Sequence, residues 1–516
     1  MATTARANVA LMLWDTADRH GGRPVILHAG AAADYAALVS RAAALGRGLH
    51  DAGVKPGERV GIFVDGGLDG VAAFFGVLAC GAVAVIINEM LRPRQVEYML
   101  EHSGTVALLT TADLLARQPR PVATTARVLD LGTMPAADSW TPVARDRDDL
   151  AQITYTSGST GSPKGVMISH ANLWAAMTAV TAYLGIRSDD RVASILPFSF
   201  VYGMSQVLCA VGTGAALGIE RSPLPQQLVA NLREREMTVL AAVPPLWLQL
   251  LSVSAFRDTA LPTLRILTNA GGHLPVERVR ALRQAQPQAQ LYLMYGLTEV
   301  LRSTYLPPEE VDRRPGSMGR AIPGAEVLVL REGLTPCAAG EVGELVHAGP
   351  TVALGYWQDP EGTTRTFRPH PLRPSSMGER VVFSGDLVRQ DDAGFLYYVG
   401  RRDRLIKSLG YRVSPEEIGG VIESSGEVAD VVVAGEPDPQ RGERIVAHVV
   451  LRSGGSLERL QRYCGIEMPR HMQPARYDVR DAIPRLPNGK YDLLALVAGD
   501  GSASVPRCVT SVPQSP

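Results

Sequence analysis

No sign of charge dominates this chain: 51 basic residues stand against 52 acidic ones, leaving a formal net charge of −1. There is no global basic field to hold nucleic acid or an anionic membrane, so a polyanionic ligand must be held by a local site. Cysteine is scarce. Cys80, Cys209, Cys337, Cys464 and Cys508 are scattered, odd in number and form no CxxC or CxH spacing. That argues against a disulfide framework or a structural zinc site and fits a reducing, cytoplasmic compartment. Long apolar runs are missing too. The opening MATTARANVALMLWDTADRH meets Asp15 too soon for a secretory signal. Val71 to Ile87 carries no polar side chain except that of Cys80. Gly76 and Gly81 interrupt the run and VAVII (83–87) is mainly β-branched. It therefore reads as a buried helix entering a buried strand, with no membrane span.

What is present is ordinary globular composition, 46% apolar and 20% charged over 516 residues, enough for about two to four folding units. RVGIFV (59–64), AVAVII (82–87) and VALLTT (106–111) read as buried strands separated by helix-like stretches, the second ending at His102-Ser103-Gly104. RVASILP, VLAAVP, LRILTNA and QLYLMYG continue the pattern as far as Gly296. This alternation predicts an α/β fold with doubly wound, mostly parallel sheets, whose ligands gather at the carboxyl ends of the strands. From about Pro315 short strands with Gly- and Asp-rich turns suggest an antiparallel β subdomain. A smaller α+β unit is expected over 403–497, its first helix opening at Ser414-Pro415-Glu416-Glu417 with Pro at the first helical position. The larger unit is then 1–402, and the small polar tail 498–516 is expected to be disordered.

The strongest chemical signal is Tyr155-Thr156-Ser157-Gly158-Ser159-Thr160-Gly161-Ser162-Pro163-Lys164-Gly165. Glycines let backbone N–H groups converge on anionic oxygens, the hydroxyls add donors, and Lys164 adds a mobile positive charge: a phosphate cradle. It is not the common P-loop, because Pro163 and Gly165 flank the lysine. Strand-like ITY leads in and the helical ANLWAAMTAVTAYLG follows.

This stretch resembles the nucleotide-binding motif of the acyl-adenylate-forming superfamily, in its acyl-CoA synthetase branch, and the resemblance runs in order through nearly the whole chain. Tyr295-Gly296-Leu297-Thr298-Glu299 is similar to the family's YGxTE, Ser384-Gly385-Asp386 to TGD, and Gly400-Arg401-Arg402-Asp403 to GRxD. Ile406 to Val413 is similar to IKxxGxxI, and Pro487-Asn488-Gly489-Lys490 to PxGK. The activity this implies is activation of a carboxylic acid with ATP to an acyl-adenylate, then transfer of the acyl group to CoA. Attack of a carboxylate on the α-phosphate joins two anions, so both need positive charge and fixed geometry. The Thr298 hydroxyl can donate to that phosphate, and the Glu299 carboxylate can hold Mg²⁺, which prefers oxygen ligands. The resemblance makes Lys490 the catalytic lysine between carboxylate and phosphate, Asp386 the ribose contact, Arg401 a second ribose or phosphate contact, and Gly271 and Gly272 the lining of the adenine and acyl pockets. It makes Asp403 a hinge. The small domain would turn about it between the two reactions, swinging Lys490 out and the Lys407–Gly410 loop in, with Gly410 leaving a path for pantetheine.

For the acid, Phe200 falls at the family's gate position. Amino-acid-activating relatives usually carry Asp next, to pair the α-ammonium, but here stands Val201. A buried ammonium without a partner is costly, which argues against an α-amino acid. Val201, Tyr202, Val243, Pro244, Ala270 and Leu301 suggest a mainly apolar wall for an aryl, fatty or polycyclic acid, with Tyr202 or Arg302 reading one polar group. Two departures stand out. Leu493 replaces the Arg of the family's GKxxR, and 414–489 is compressed. An acyl carrier protein in place of CoA, an enzyme working mainly in the thioester-forming half, a non-catalytic binding relative and a homodimer remain open alternatives.

Overall fold

The computed structural model describes residues 7–28, 31–134, 140–156, 163–220, 222, 224–272, 274–373, 379–401, 406–439, 442–484 and 496. Two largely parallel sheets dominate the N-terminal part. In the first, Leu150–Thr156, Val83–Ile87, Arg59–Phe63, Thr105–Thr110 and Arg127–Asp130 run parallel. Lys164–Ser169 and Gly355–Tyr356 extend one edge antiparallel. In the second, Gln290–Tyr295, Ile266–Asn269, Val239–Ala242, Arg191–Ser194, Ala216–Ile219 and Pro24–His28 are parallel. Antiparallel strands Thr304–Leu306 and Ala31–Asp34 flank them.

The apolar run is what its glycines suggest: helix Leu68–Ala79 enters strand Val83–Ile87, every residue of which is buried. The helix has no polar face because it belongs to a core shared by both sheets, with Phe74 and Phe75 beside Leu45, Ile168, Val192 and Leu208. It lies in backbone contact with helix Tyr35–Asp51, since a Cβ on Gly76 would come 2.8 Å from the Ala42 carbonyl oxygen. Among the described residues no helix is long and apolar enough to cross a membrane.

One local expectation differs. The Ser/Gly-rich segment is not followed directly by the helix, which is His170–Leu184. Strand Lys164–Ser169 intervenes and returns along Leu150–Thr156, with Thr156 opposite Lys164. The alternating side chains of GVMIS find a buried partner face there, which a loop would not give them. Residues 157–162 themselves lie outside the described residues.

The β subdomain is antiparallel as expected, built from Glu326–Leu330, Val342–Ala348, Phe367–Pro369, Arg380–Gln390 and Leu396–Arg401. From Ile406 onward the chain builds a separate core. Hairpin Ile406–Ser408/Tyr411–Val413 joins Gly442–Leu451 and Val428–Asp438, with Arg476–Val479 parallel to Gly442–Leu451. Helix Pro415–Ser424 starts where the sequence marks it, its Ser414 hydroxyl accepting from the Glu417 N–H. Ile418, Ile422, Val433, Ile445, Val449 and Leu460 fill the interior. The tail 498–516 lies outside the described residues.

Candidate active site

The turns after the parallel strands converge on one cavity of about 690 Å³. Ile86 and Asn88 come from one sheet's strand end, Val243, Ala270 and Gly296–Glu299 from the other's, and Thr154–Thr156 from the strand before the Ser/Gly segment. This is where a doubly wound sheet places ligands, because the strand ends leave backbone groups and loop side chains facing an open crevice.

One wall is polar and ordered by its own bonds. Glu299 accepts a 2.7 Å hydrogen bond from the Tyr356 hydroxyl, and Thr298 beside it lines the cavity. Lys164 pairs with Asp359 at 3.2 Å and stands 5.0 Å from the Tyr356 ring centroid. Burial works to raise the Asp359 carboxyl, but the Gly362 N–H and the Lys164 ammonium hold it below the usual carboxylate range. Around the corner a second cavity of about 60 Å³ takes Gly271, Gly272, Tyr295, Gly296, Tyr398 and Lys407. Tyr295 donates to the fully buried Asp386 at 2.5 Å, and Asp386 sits opposite Arg401 in the strand pairing. Gly271 has φ +82, and a Cβ there would stand 3.2 Å from Val243 Cγ1 and 4.0 Å from the Gly410 carbonyl oxygen. A side chain at that point would be strained and would fill the junction.

The opposite wall is apolar. Phe200, Val201, Tyr202, Val243, Ala270 and Leu301 all line the cavity. Pro244 does not; its ring faces the Gly272 backbone, and a Cβ on Gly272 would meet Pro244 Cγ at 3.2 Å. Tyr202 is anchored by its hydroxyl, 2.9 Å from the Thr268 carbonyl oxygen and 2.6 Å from its Oγ1. Leu301 holds a left-handed φ of +53 at the end of the Thr298–Val300 turn. A leucine rarely adopts that backbone, which costs about 1–3 kcal/mol. It turns the chain so that Glu299 and Arg302 line the same cavity.

The C-terminal unit supplies the last wall. Its hairpin turn, Leu409-Gly410-Tyr411, lines the cavity with Glu417, His471 and Met472. Gly410 has φ +83, and a Cβ there would come 3.2 Å from Val243 Cγ2. Tyr411 meets the Phe200 ring edge-on at 5.0 Å between centroids and stacks on His471 at 3.7 Å. Burial pushes the His471 imidazole down to about 4, so it packs as a neutral ring. Burial likewise pushes the Glu417 carboxyl up to about 7, offset in part by the Arg94 guanidinium. Lys407 donates to the Tyr398 hydroxyl at 2.7 Å and lies over that ring. Gln95 Nε2 donates to the Glu467 carbonyl oxygen at 2.8 Å across the same junction.

The structure thus brings Thr156, Lys164, Thr298, Glu299 and Gly410 to one cavity with the apolar residues. It brings Gly271, Gly272, Tyr295, Gly296 and Lys407 to the next. Ser157, Gly158, Ser159, Thr160, Gly161, Asp403 and Lys490, and the side chain of Arg401, lie outside what is described. Sequence reasoning missed Tyr356, Asp359, Tyr398, Tyr411, Glu417 and His471. Tyr411 sits inside the stretch similar to IKxxGxxI and was within reach; the others are brought in by folding from distant segments without a local pattern.

Two family models match the chain: AMP-binding enzyme over residues 13–357, and AMP-binding enzyme C-terminal domain over residues 417–490. The chain is 34% identical over 476 residues to a linear gramicidin synthase of Brevibacillus parabrevis, covering 90% of this chain and 6% of that one. The first curated relatives are long synthases, of which this chain spans 6% to 20%. It is 30% identical over 465 residues to an L-proline–[L-prolyl-carrier protein] ligase of Pseudomonas fluorescens, covering 86% of this chain and 89% of that one. Among solved structures, o-succinylbenzoate CoA synthetase of Bacillus subtilis bound to a product analogue, OSB-NCoA, superposes with TM-score 0.86 at 25% identity, over 97% of this chain and 99% of that one. The same synthetase with its acyl-adenylate intermediate superposes with TM-score 0.70 at 24% identity, over 95% and 97% of the two chains.

Proposed function

The chain belongs to the AMP-binding enzyme family, within the acyl-adenylate-forming superfamily, and from that premise we propose that it ligates a largely apolar carboxylic acid to coenzyme A. The reading rests above all on three walls meeting in one cavity: a polar turn with Thr298 and Glu299, an apolar wall from Phe200 to Leu301, and the Gly410 turn of the C-terminal unit. In the first step an oxygen of the acid's carboxylate bonds to the α-phosphorus of ATP and pyrophosphate leaves. In the second the thiol sulfur, having lost its proton, bonds to the acyl carbon and AMP leaves.

Thr298 would donate to the α-phosphate. Lys164 would supply positive charge by exchanging its bond to Asp359 for phosphate oxygens, and Asp386 with Arg401 would hold the ribose. Lys490 would stabilise charge as phosphorus becomes pentavalent. Glu299 is a fit ligand for Mg²⁺, an oxygen donor facing the cavity and oriented by Tyr356; the ion would offset phosphate charge when bound. The division at Asp403 into units 1–402 and 403–497 would let the smaller one turn between steps. The Gly410 turn facing the crevice supports a reading in which this arrangement serves the second step. Val201 in place of a carboxylate speaks against an α-amino acid.

The likeness to a carrier-protein ligase over nearly its full length favours a second reading, in which the acceptor is the phosphopantetheine of an acyl carrier protein. Acid-dependent exchange of pyrophosphate into ATP, across a panel of apolar acids, tests the first step. Thioester formation with CoA against a loaded carrier tests the acceptor. Failure of every acid to support exchange, alongside thioester formation from supplied adenylate, would leave only the second half-reaction; absence of both activities would overturn the reading.

A further inference from the structure

We propose that the acid carries a second anionic group at the end away from its reacting carboxyl, and that Arg302 holds it. The inference rests on the adenylating reading above and names its substrate class.

Arg302 is only 3% exposed. It lines the main cavity and also a small chamber of about 10 Å³ behind it; Val201, Leu301 and Arg302 are the residues common to both. Its Nε makes no hydrogen bond, and no carboxylate pairs with its guanidinium among the described residues. Among the described residues, the titratable groups Tyr183, Tyr202 and Cys209 beside it are neutral. The Tyr202 ring centroid lies 4.8 Å from its Cζ. Burial pushes the Tyr183 and Tyr202 hydroxyls upward and the Cys209 thiol up to about 12, so none of them ionises to neutralise it. Glu299, three residues earlier, is engaged by Tyr356.

An arginine cannot escape burial by losing its proton, as a lysine can. A buried guanidinium without a counter-charge is destabilising, and an anionic ligand would relieve that cost. Its planar fork matches a carboxylate with two parallel N–H···O bonds. The backbone fixes where the fork stands: the strained turn at Leu301 ends there, and the Arg302 N–H donates to the Val300 carbonyl oxygen. Gln152 Oε1, in the wall of the small chamber, has no donor among the described residues. Its amide nitrogen is committed to Thr154 at 2.7 Å, leaving room for a bridging water or a hydroxyl on the ligand. Val201, Ala270 and Leu301 line the same cavity as Arg302 and the Thr298–Glu299 turn, and supply apolar surface there. The fitting acid is therefore charged at both ends and apolar between.

The test compares matched acids on the full chain: suberate, octanoate and suberate monomethyl ester, then terephthalate against benzoate. Acid-dependent pyrophosphate exchange reads turnover, and calorimetry without ATP reads binding. The diacid is expected to exceed both its monoacid and its monoester in kcat/KM by on the order of ten-thousandfold, as for a site built to bond a polar group. Arg302→Leu should reverse the order in favour of octanoate, and Arg302→Lys should retain part of the diacid preference. Equal use of diacid and monoester by the unaltered chain overturns the proposal without need of a variant, as does a diacid preference that survives Arg302→Leu. Diacid binding that depends on Arg302 but gives no exchange would uphold the subsite and sink the adenylating reading. Exchange with monoacids alone would do the opposite, and neither binding nor exchange would end both.

Discussion

The two sides of the cavity differ in how completely they are satisfied. On the side proposed for phosphate the polar groups already answer one another: Glu299 with Tyr356, Lys164 with Asp359, Tyr295 with Asp386. On the side proposed for the acyl group the walls are apolar and one buried cation, Arg302, has no counter-charge among the described residues. A site used for the same cosubstrate at every turnover gains from donors and acceptors fixed in advance. A site that must choose among acids gains from a group whose need only the right ligand meets.

The sharpest way to break this comparison is to remove charge from the phosphate side. Lys490→Ala should lower adenylation on the order of a hundredfold or more, as loss of a transition-state charge stabiliser does. It should leave thioester formation from preformed adenylate nearly intact; equal loss in both, measured by exchange and by thioester release, would contradict the two-arrangement scheme. Gly410→Leu should do the reverse. A side chain at φ +83 facing Val243 costs about 1–3 kcal/mol in strain, so docking of the hairpin and the thioester rate should fall by about five- to 150-fold while exchange persists. Tyr295→Phe is milder. Loss of one hydrogen bond to Asp386 should raise the KM for ATP by about tenfold, the effect of a bond to a charged acceptor worth about 1.5 kcal/mol, and leave the preference among acids unmoved. The smallest effect concerns the junction. Burial raises the Glu417 carboxyl in the docked arrangement, so that arrangement binds the proton more tightly. Its contribution is full below the ordinary carboxylate range and is lost as pH rises through about 7. Fluorescence transfer between labels on the two units should show looser docking at pH 8 than at pH 6, and Glu417→Gln should flatten that difference.

Much of the architecture was legible because it is written in periodicity. The all-buried run 83–87, the Gly104 stop and the Ser414-Pro415 helix start each follow from local chemistry. The strand Lys164–Ser169 escaped because a Gly-rich segment before a helix mimics a strand–loop–helix unit, and only the neighbouring strand's free edge reveals that those residues pair. Thr298 and Glu299 lie in one short motif, so their meeting at one turn of the cavity was readable. Tyr356 and Asp359 were not, because their meaning comes from a strand added to the sheet edge beside Lys164, nearly two hundred residues away in the chain. Arg302 was half legible: the sequence puts it after the YGLTE turn, but only the fold reveals a burial without a counter-charge.

The kink at Leu301 has a wider implication. Because Glu299 and Arg302 flank one left-handed turn, the residue proposed to grip the far end of the acid and the residue proposed to steady the triphosphate would not be repositioned independently. An acid that is too short or too long would not merely bind loosely; by tugging on this corner it would misplace the carboxylate beside Tyr356. The enzyme would then measure the length of its substrate through the geometry of phosphate handling, and changes of specificity by mutation along this stretch would carry a penalty in nucleotide use.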